Sequence, residues 1–226
     1  VYDSVQRAMK LLRDHRLPFG TSCCYTRQNM ERISDDAFMD MLVKNGAMFA
    51  WYFHYFPVGS DADLELLPTP EQRKEMYKRI RYYRHHKDLF VMDFQNDGEY
   101  VQGCIAGGRR YLHINAAGDV DPCVFIHFSD SNIHEKTLLE CLRSPLCQAY
   151  HDNQPFNENM LRPCPMLENP DELRRQLIEL GVPFPRNRYG EYIGYKTDHD
   201  PRRRATSVGP YTSKQMTECL EATVQA

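Results

Sequence analysis

No run of apolar residues in this chain is long enough to span a bilayer, and no secretory signal opens it, so cytoplasmic residence and no transmembrane role are the expectation. Neither sign of charge dominates: 28 Lys and Arg stand against 31 Asp and Glu, a formal net charge of -3, which gives no argument for a nucleic-acid surface. The basic cluster Arg202-Arg203-Arg204 is short and sits in a polar tail, as solvated charge does. Eight cysteines in 226 residues are too few for a disulfide-stapled miniprotein, and the absence of any C-x2-C pair argues against a zinc ribbon. No internal repeat is evident. There is also no initiator methionine: Val1-Tyr-Asp-Ser-Val opens inside a helical pattern, the expected start of a fragment. What is present, 42% hydrophobic and 12% aromatic residues, suffices for a core and excludes global disorder.

Val5, Ala8, Met9, Leu11 and Leu12 recur at helical spacing and predict a helix ending near His15. Phe19–Thr26 reads as a buried strand, and Ser34 as the N-cap of a helix through Lys44 with Phe38, Met41 and Leu42 on its apolar face. Asn45-Gly46 ends it, and Met48–Tyr55 is a second apolar strand. A loop over 56–68 leads to Thr69-Pro-Glu-Gln72, a capping box with proline at the first helical position, for a helix to about His86. Leu89–Asp93 is a third strand. Alternating helices and continuous apolar strands predict a parallel α/β array covered on both faces. Beyond Asn96-Asp-Gly98, Tyr111–Asn115 and Val120–Phe125 flank Gly118 as a hairpin, with Asn115 paired to Val120 and Leu112 opposite Cys123. Short helices follow near 135–143 and 146–151, then one from Asn169 to Gly181, and a loosely ordered tail over 183–226.

The chemistry concentrates in the cysteines. Cys104 and Cys123 are separated by the Gly118 turn, where a left-handed residue is wanted, and Cys164 lies between two prolines that restrict its backbone. Thiolates so arranged suit zinc or an iron–sulfur cluster, and spacing alone leaves both open. A fourth ligand is not obvious: Cys141, Cys147, His113 and His127 are available, but the cysteines read better as helix-core residues and the histidines as hydrogen-bonded or surface side chains. Cys23-Cys24 read as strand residues.

Cys104-x13-Gly118-x4-Cys123 resembles the start of the auxiliary-cluster (SPASM or twitch) domain of radical S-adenosylmethionine enzymes. Gly103-Cys-Ile-Ala-Gly-Gly-Arg-Arg-Tyr-Leu-His-Ile-Asn, Asp121-Pro-Cys-Val-Phe-Ile-His-Phe and Leu161-Arg-Pro-Cys-Pro are similar to a prokaryotic branch that includes tetraether-lipid-synthase-like proteins. With Trp51–Gly59, the resemblance covers about residues 1–182. It implies the C-terminal part of a partial (β/α) barrel over 1–97 and a small α+β auxiliary domain over 98–182. Cys104, Cys123 and Cys164 would hold one auxiliary [4Fe–4S] cluster. In the intact parent, S-adenosylmethionine and a second [4Fe–4S] cluster on a C-x3-C-x2-C loop would generate a 5′-deoxyadenosyl radical for a lipid or peptide substrate. A flavodoxin or ferredoxin would supply electrons. No C-x3-C-x2-C occurs in this sequence, so the chain by itself is expected to be inactive.

The resemblance and the barrel geometry carry over a few further residues as expectations. Thr26, Arg27 and Asn29 would contact the cofactor, His54 and Tyr55 the substrate, and Arg109-Arg110 would neutralise an anionic cluster. A competing reading is a zinc-stabilised binding module without catalysis. Another is a piece that folds only against a missing N-terminal half.

Overall fold

Three parallel strands and their connecting helices occupy residues 1–56 and 63–96, and the described residues from Asp97 onward form a second compact unit. The computed structural model describes residues 1–56, 63–106, 108–126, 128–165 and 168–182. The predicted tail over 183–226 lies outside the described residues.

In the first unit, α1 (Tyr2–Asp14) precedes β1 (Gly20–Tyr25), α2 (Met30–Ile33) and α3 (Asp36–Lys44) lead to β2 (Phe49–His54), and α4 (Pro70–His86) leads to β3 (Phe90–Asp93). The order is β1-β2-β3, all parallel, with Tyr25 beside His54 and Tyr52 beside Asp93. Parallel neighbours require crossovers, and the helices supply them. The Thr69 hydroxyl accepts from the Gln72 amide while the Gln72 side chain accepts from the Thr69 amide, so the predicted capping box starts α4. The cap of α3 differs from the prediction. Asp35 accepts from the Phe38 amide, whereas Ser34 donates to the Met30 carbonyl and closes the short α2 that the apolar pattern did not separate.

Burial along the strands alternates instead of covering both faces. Cys23, Tyr25, Ala50, Tyr52 and Val91 pack with Met9, Met39, Leu42, Met76, Ile80 and Tyr83 from α1, α3 and α4. On the other face Ser22 and Cys24 are exposed and Trp51, Phe53 and Met92 are half-buried. Trp51, Phe53 and Phe94 cluster there with their rings tilted to one another and centroids 4.9–5.8 Å apart. An apolar strand does not specify how many of its faces helices will cover, and here all three long helices share one side.

The second unit holds α5 (Gly98–Val101), a hairpin of β4 (His113–Ile114) and β5 (Val120–Asp121), then α6 (Leu138–Leu142), α7 (Pro145–Asp152) and α8 (Pro170–Glu179). Capping is again local: Thr137 and Glu140 form a capping box on α6, and Ser144 caps α7. Val120, Phe128, Leu146, Tyr150, Leu173 and Leu177 are buried.

The hairpin register is one residue away from the predicted one, pairing Ile114 with Val120 and His113 with Asp121. The Asn115 carboxamide oxygen accepts from the amides of Ala117 and Asp119, and the Asn115 amide donates to the Asp119 carbonyl. That side-chain turn leaves three residues in the loop, with Gly118 at φ +87° in the left-handed region as expected. Continuing the register brings Tyr111, not Leu112, opposite Cys123.

Candidate metal centre

Cys104 follows a backbone reversal that glycine permits. α5 ends on Gln102 at φ +59°, and Gly103 has φ +119°. A Cβ on Gly103 would run into the Gln154 carboxamide oxygen, the same atom that accepts from the Cys104 amide at 2.8 Å. Arg109 closes the turn from the other side: its Nη2 donates to the carbonyls of Val101 and Cys104, both at 2.8 Å. Arg109 is therefore a clamp on the cysteine's backbone as well as a nearby positive charge.

Cys123 leaves β5 through Asp121-Pro122. Burial pushes its thiol pKa up, opposed by the polar groups of Phe125, Tyr111 and Val124 beside its sulfur. The Tyr111 oxygen lies 3.9 Å from Cys123 Sγ. Cys164 is fixed through its backbone. Its amide donates to the buried Glu168 carboxylate at 2.9 Å, and its carbonyl accepts from the amides of Glu168 and Asn169 and from the Asn169 side chain. Burial, and after it the Asp119 carboxylate, pushes the pKa of Asp121 up to about 8.

These three thiols, distant in sequence, share two tyrosines as electrostatic neighbours. Tyr111 and the fully buried Tyr150 of α7 each lie within electrostatic reach of Cys104, Cys123 and Cys164, and Tyr150 also of Cys147. Cys147 is a neighbour of that group from α7, while Cys141 packs fully buried on α6. His113 is half-buried opposite Asp121, and His127 lies outside the described residues. Among the described residues no three His, Cys, Asp or Glu side chains converge closely enough to hold a single metal ion.

Several buried donor atoms of this unit have no hydrogen-bond partner among the described residues: the Tyr150 hydroxyl, Gln154 Nε2, Arg109 Nε and Arg162 Nε. A neutral thiol is a weak acceptor, whereas a sulfide-bearing anionic cluster offers several acceptor sulfurs. The buried Cys104 and Cys123 thiols and the half-buried Cys164, with the Arg109 side chain and donors lacking acceptors beside them, fit a cluster whose iron neutralises the thiolates. Tyr111 and Tyr150 were not anticipated from sequence. Tyr111 becomes visible only with the correct register, and Tyr150 carries no signal beyond its place three residues after Cys147.

In the first unit, the predicted cofactor residues bond locally. Thr26 Oγ1 accepts from the amides of Gln28 and Asn29, and Asn29 accepts from the Thr26 amide and donates to the Cys24 carbonyl. Arg27 donates to the Leu67 carbonyl and to Glu65. These bonds shape the turn after β1 and hold the segment around Leu64–Leu66 against it. Tyr55 accepts from the Asp63 amide at 3.1 Å.

His54 is buried, with its ring stacked on Phe56 at 4.7 Å and its Nδ1 3.0 Å from the Tyr55 carbonyl, so Nδ1 carries the proton. Its Nε2 lone pair has no partner among the described residues. Burial first, and then the Arg73 charge, lowers its pKa from 6.5 to about 3. Above pH 6.5 both folded and unfolded chains keep this ring neutral and nothing is lost. As pH falls below 6.5, the unfolded chain takes up a proton that the folded one refuses until about pH 3. Between pH 7 and 5 this costs the first unit about 2 kcal/mol. Urea unfolding followed by Trp51 fluorescence should show that loss in the wild type and a flatter profile in His54→Gln. An equal loss in both would refute the assignment.

Residues 104–166 match SPASM, an iron–sulfur cluster-binding domain, consistent with a radical S-adenosylmethionine protein of that type. The comparison with curated proteins returns no match. No helix among the described residues is long and apolar enough to cross a membrane.

Proposed function

We propose that Cys104, Cys123 and Cys164 hold one auxiliary [4Fe–4S] cluster, in the C-terminal portion of a radical S-adenosylmethionine enzyme that modifies a lipid or peptide. The observation that carries the reading is the match of residues 104–166, which contain all three cysteines, to an iron–sulfur cluster-binding domain; the electrostatic proximity of each thiol to Tyr111 and Tyr150 supports it. When bound, the cluster would supply a one-electron relay or an iron site for holding substrate. The chain's own residues hold the cysteines: Gln154 and Arg109 set the backbone of Cys104, Glu168 and Asn169 that of Cys164, and the Tyr111 hydroxyl contacts the Cys123 sulfur at 3.9 Å.

In this reading residues 1–97 contribute later β/α units of a partial barrel, and 98–182 the auxiliary domain. Support comes from the consecutive order β1-β2-β3 and from strand ends at Tyr25 and His54, the end of the sheet where β/α barrels place their sites. His54 and Tyr55 would face substrate there, and His54 Nε2 could accept a hydrogen bond from it. Cofactor contacts by Thr26, Arg27 and Asn29 rest on the resemblance, since their hydrogen bonds serve the turn. A flavodoxin or ferredoxin would be the electron donor.

The test is anaerobic iron and sulfide analysis with an absorption spectrum on the whole chain and on Cys104→Ala/Cys123→Ala/Cys164→Ala. About four irons and four sulfides per chain, with a broad visible band lost in the variant, is the expected result. One zinc per chain, or no metal, would overturn the proposal in favour of a structural or binding module.

A further inference from the structure

Tyr150 is costly in its position unless something accepts its proton. Its side chain is 0% exposed, and its ring packs edge-on to Phe156 at 5.3 Å. The hydroxyl has no hydrogen-bond partner among the described residues. A buried hydroxyl left unsatisfied costs about 1–3 kcal/mol, whereas phenylalanine would fill the same space without that penalty. The groups around the phenol are sulfur-bearing: Cys123, Cys164, Cys104 and Cys147 are its electrostatic neighbours. Gln154, just past the end of α7, repeats the pattern, since its Oε1 is held by the Cys104 amide while its Nε2 is buried without an acceptor.

We infer that the Tyr150 hydroxyl donates a hydrogen bond to a sulfur of the bound cluster and thereby raises its reduction potential. The inference rests on the proposed cluster and goes beyond it by assigning a tuning role to a residue that is not a ligand. The physical basis is charge. Reduction adds one electron to the cluster and makes its sulfurs more negative, so a fixed O–H dipole aimed at one of them stabilises the reduced form more than the oxidised form. No proton is transferred; in a titration with dithionite the electron comes from the dithionite and the O–H bond stays intact. Tyr111 makes a related contact to the Cys123 thiol, but as a ligand-directed bond already present at 3.9 Å.

The experiment is a redox titration of the iron-loaded whole chain, followed by electron paramagnetic resonance, for the wild type and Tyr150→Phe. Loss of one such bond should disfavour reduction about tenfold, a fall of about 59 mV for a one-electron couple. If Tyr150→Phe fails to load iron, 3-fluorotyrosine placed at 150 keeps the packing and makes the hydroxyl a stronger donor, so the potential should rise. An unmoved potential in either loaded protein overturns the inference. Iron analysis of the same samples separates the two levels of failure. Wild type without iron sinks the cluster reading, whereas four irons in both proteins with equal potentials sink the Tyr150 assignment alone.

Discussion

Gly98→Ala is expected to destabilise the cysteine-bearing unit by about 3 kcal/mol and to lower its capacity for iron in proportion. Gly98 opens α5 and is buried, and a Cβ built on it lands on the carbonyl oxygen of Met160, with the Met160 carbonyl carbon at 3.1 Å and the Gly103 carbonyl oxygen at 3.3 Å. All three obstacles are backbone atoms and cannot swing aside. Relief requires moving either the strand of chain around Met160, close to Cys164, or the turn that presents Cys104. Gly20→Ala provides the contrast. Its new methyl would meet the ring of Phe49, which is 38% exposed and can rotate outward, so a cost under about 1 kcal/mol is expected. Hydrogen exchange of peptides covering Gly98–Cys104 and Met160–Cys164 checks the first, and Trp51-detected urea unfolding the second. Equal effects would show that backbone contact at Gly98 is not the determinant.

Removing iron from the loaded chain by oxidation and chelation is expected to cost the same unit about 4 kcal/mol or more, the stabilisation given by a ligand present at a thousand times its dissociation constant. Among the described residues the regular structure there is short: two strands of 2 residues, and helices of 4, 5, 8 and 10. Such a unit gains much from a cross-link joining its start, its hairpin and its late loop, which is what ligation by Cys104, Cys123 and Cys164 would provide. The amides of Cys104, Val124, Phe125 and Cys164 should lose exchange protection in the stripped chain and recover it on reconstitution with iron and sulfide. Unchanged protection would mean that the thiols do not tie these segments together through a shared metal group.

Much of the first unit was legible in the chain because its signals are local. The capping box at Thr69, the Asn45-Gly46 stop and the three apolar strands depend on residues within one or two turns of each other, and each forms where predicted. The second unit was legible at its turns and less so between them. Gly118 adopts the expected left-handed conformation, but the Asn115 carboxamide tightens the loop and shifts the register by one residue. A side-chain acceptor competing with a backbone one is a near-balanced choice that pattern alone does not decide.

By itself, then, the sequence determined the helix starts, the parallel crossovers and the Cys104-x13-Gly118-x4-Cys123 arrangement, since propensity, capping and turn stereochemistry act over a few residues. Tertiary structure alone decided which strand face the helices cover, that Tyr111 stands opposite Cys123, and that the phenol of Tyr150 is fully buried as an electrostatic neighbour of Cys123, Cys164 and Cys104. Those outcomes depend on side chains tens of residues apart competing for one buried volume, where packing and hydrogen-bond satisfaction are settled together and no segment carries the answer in its own composition.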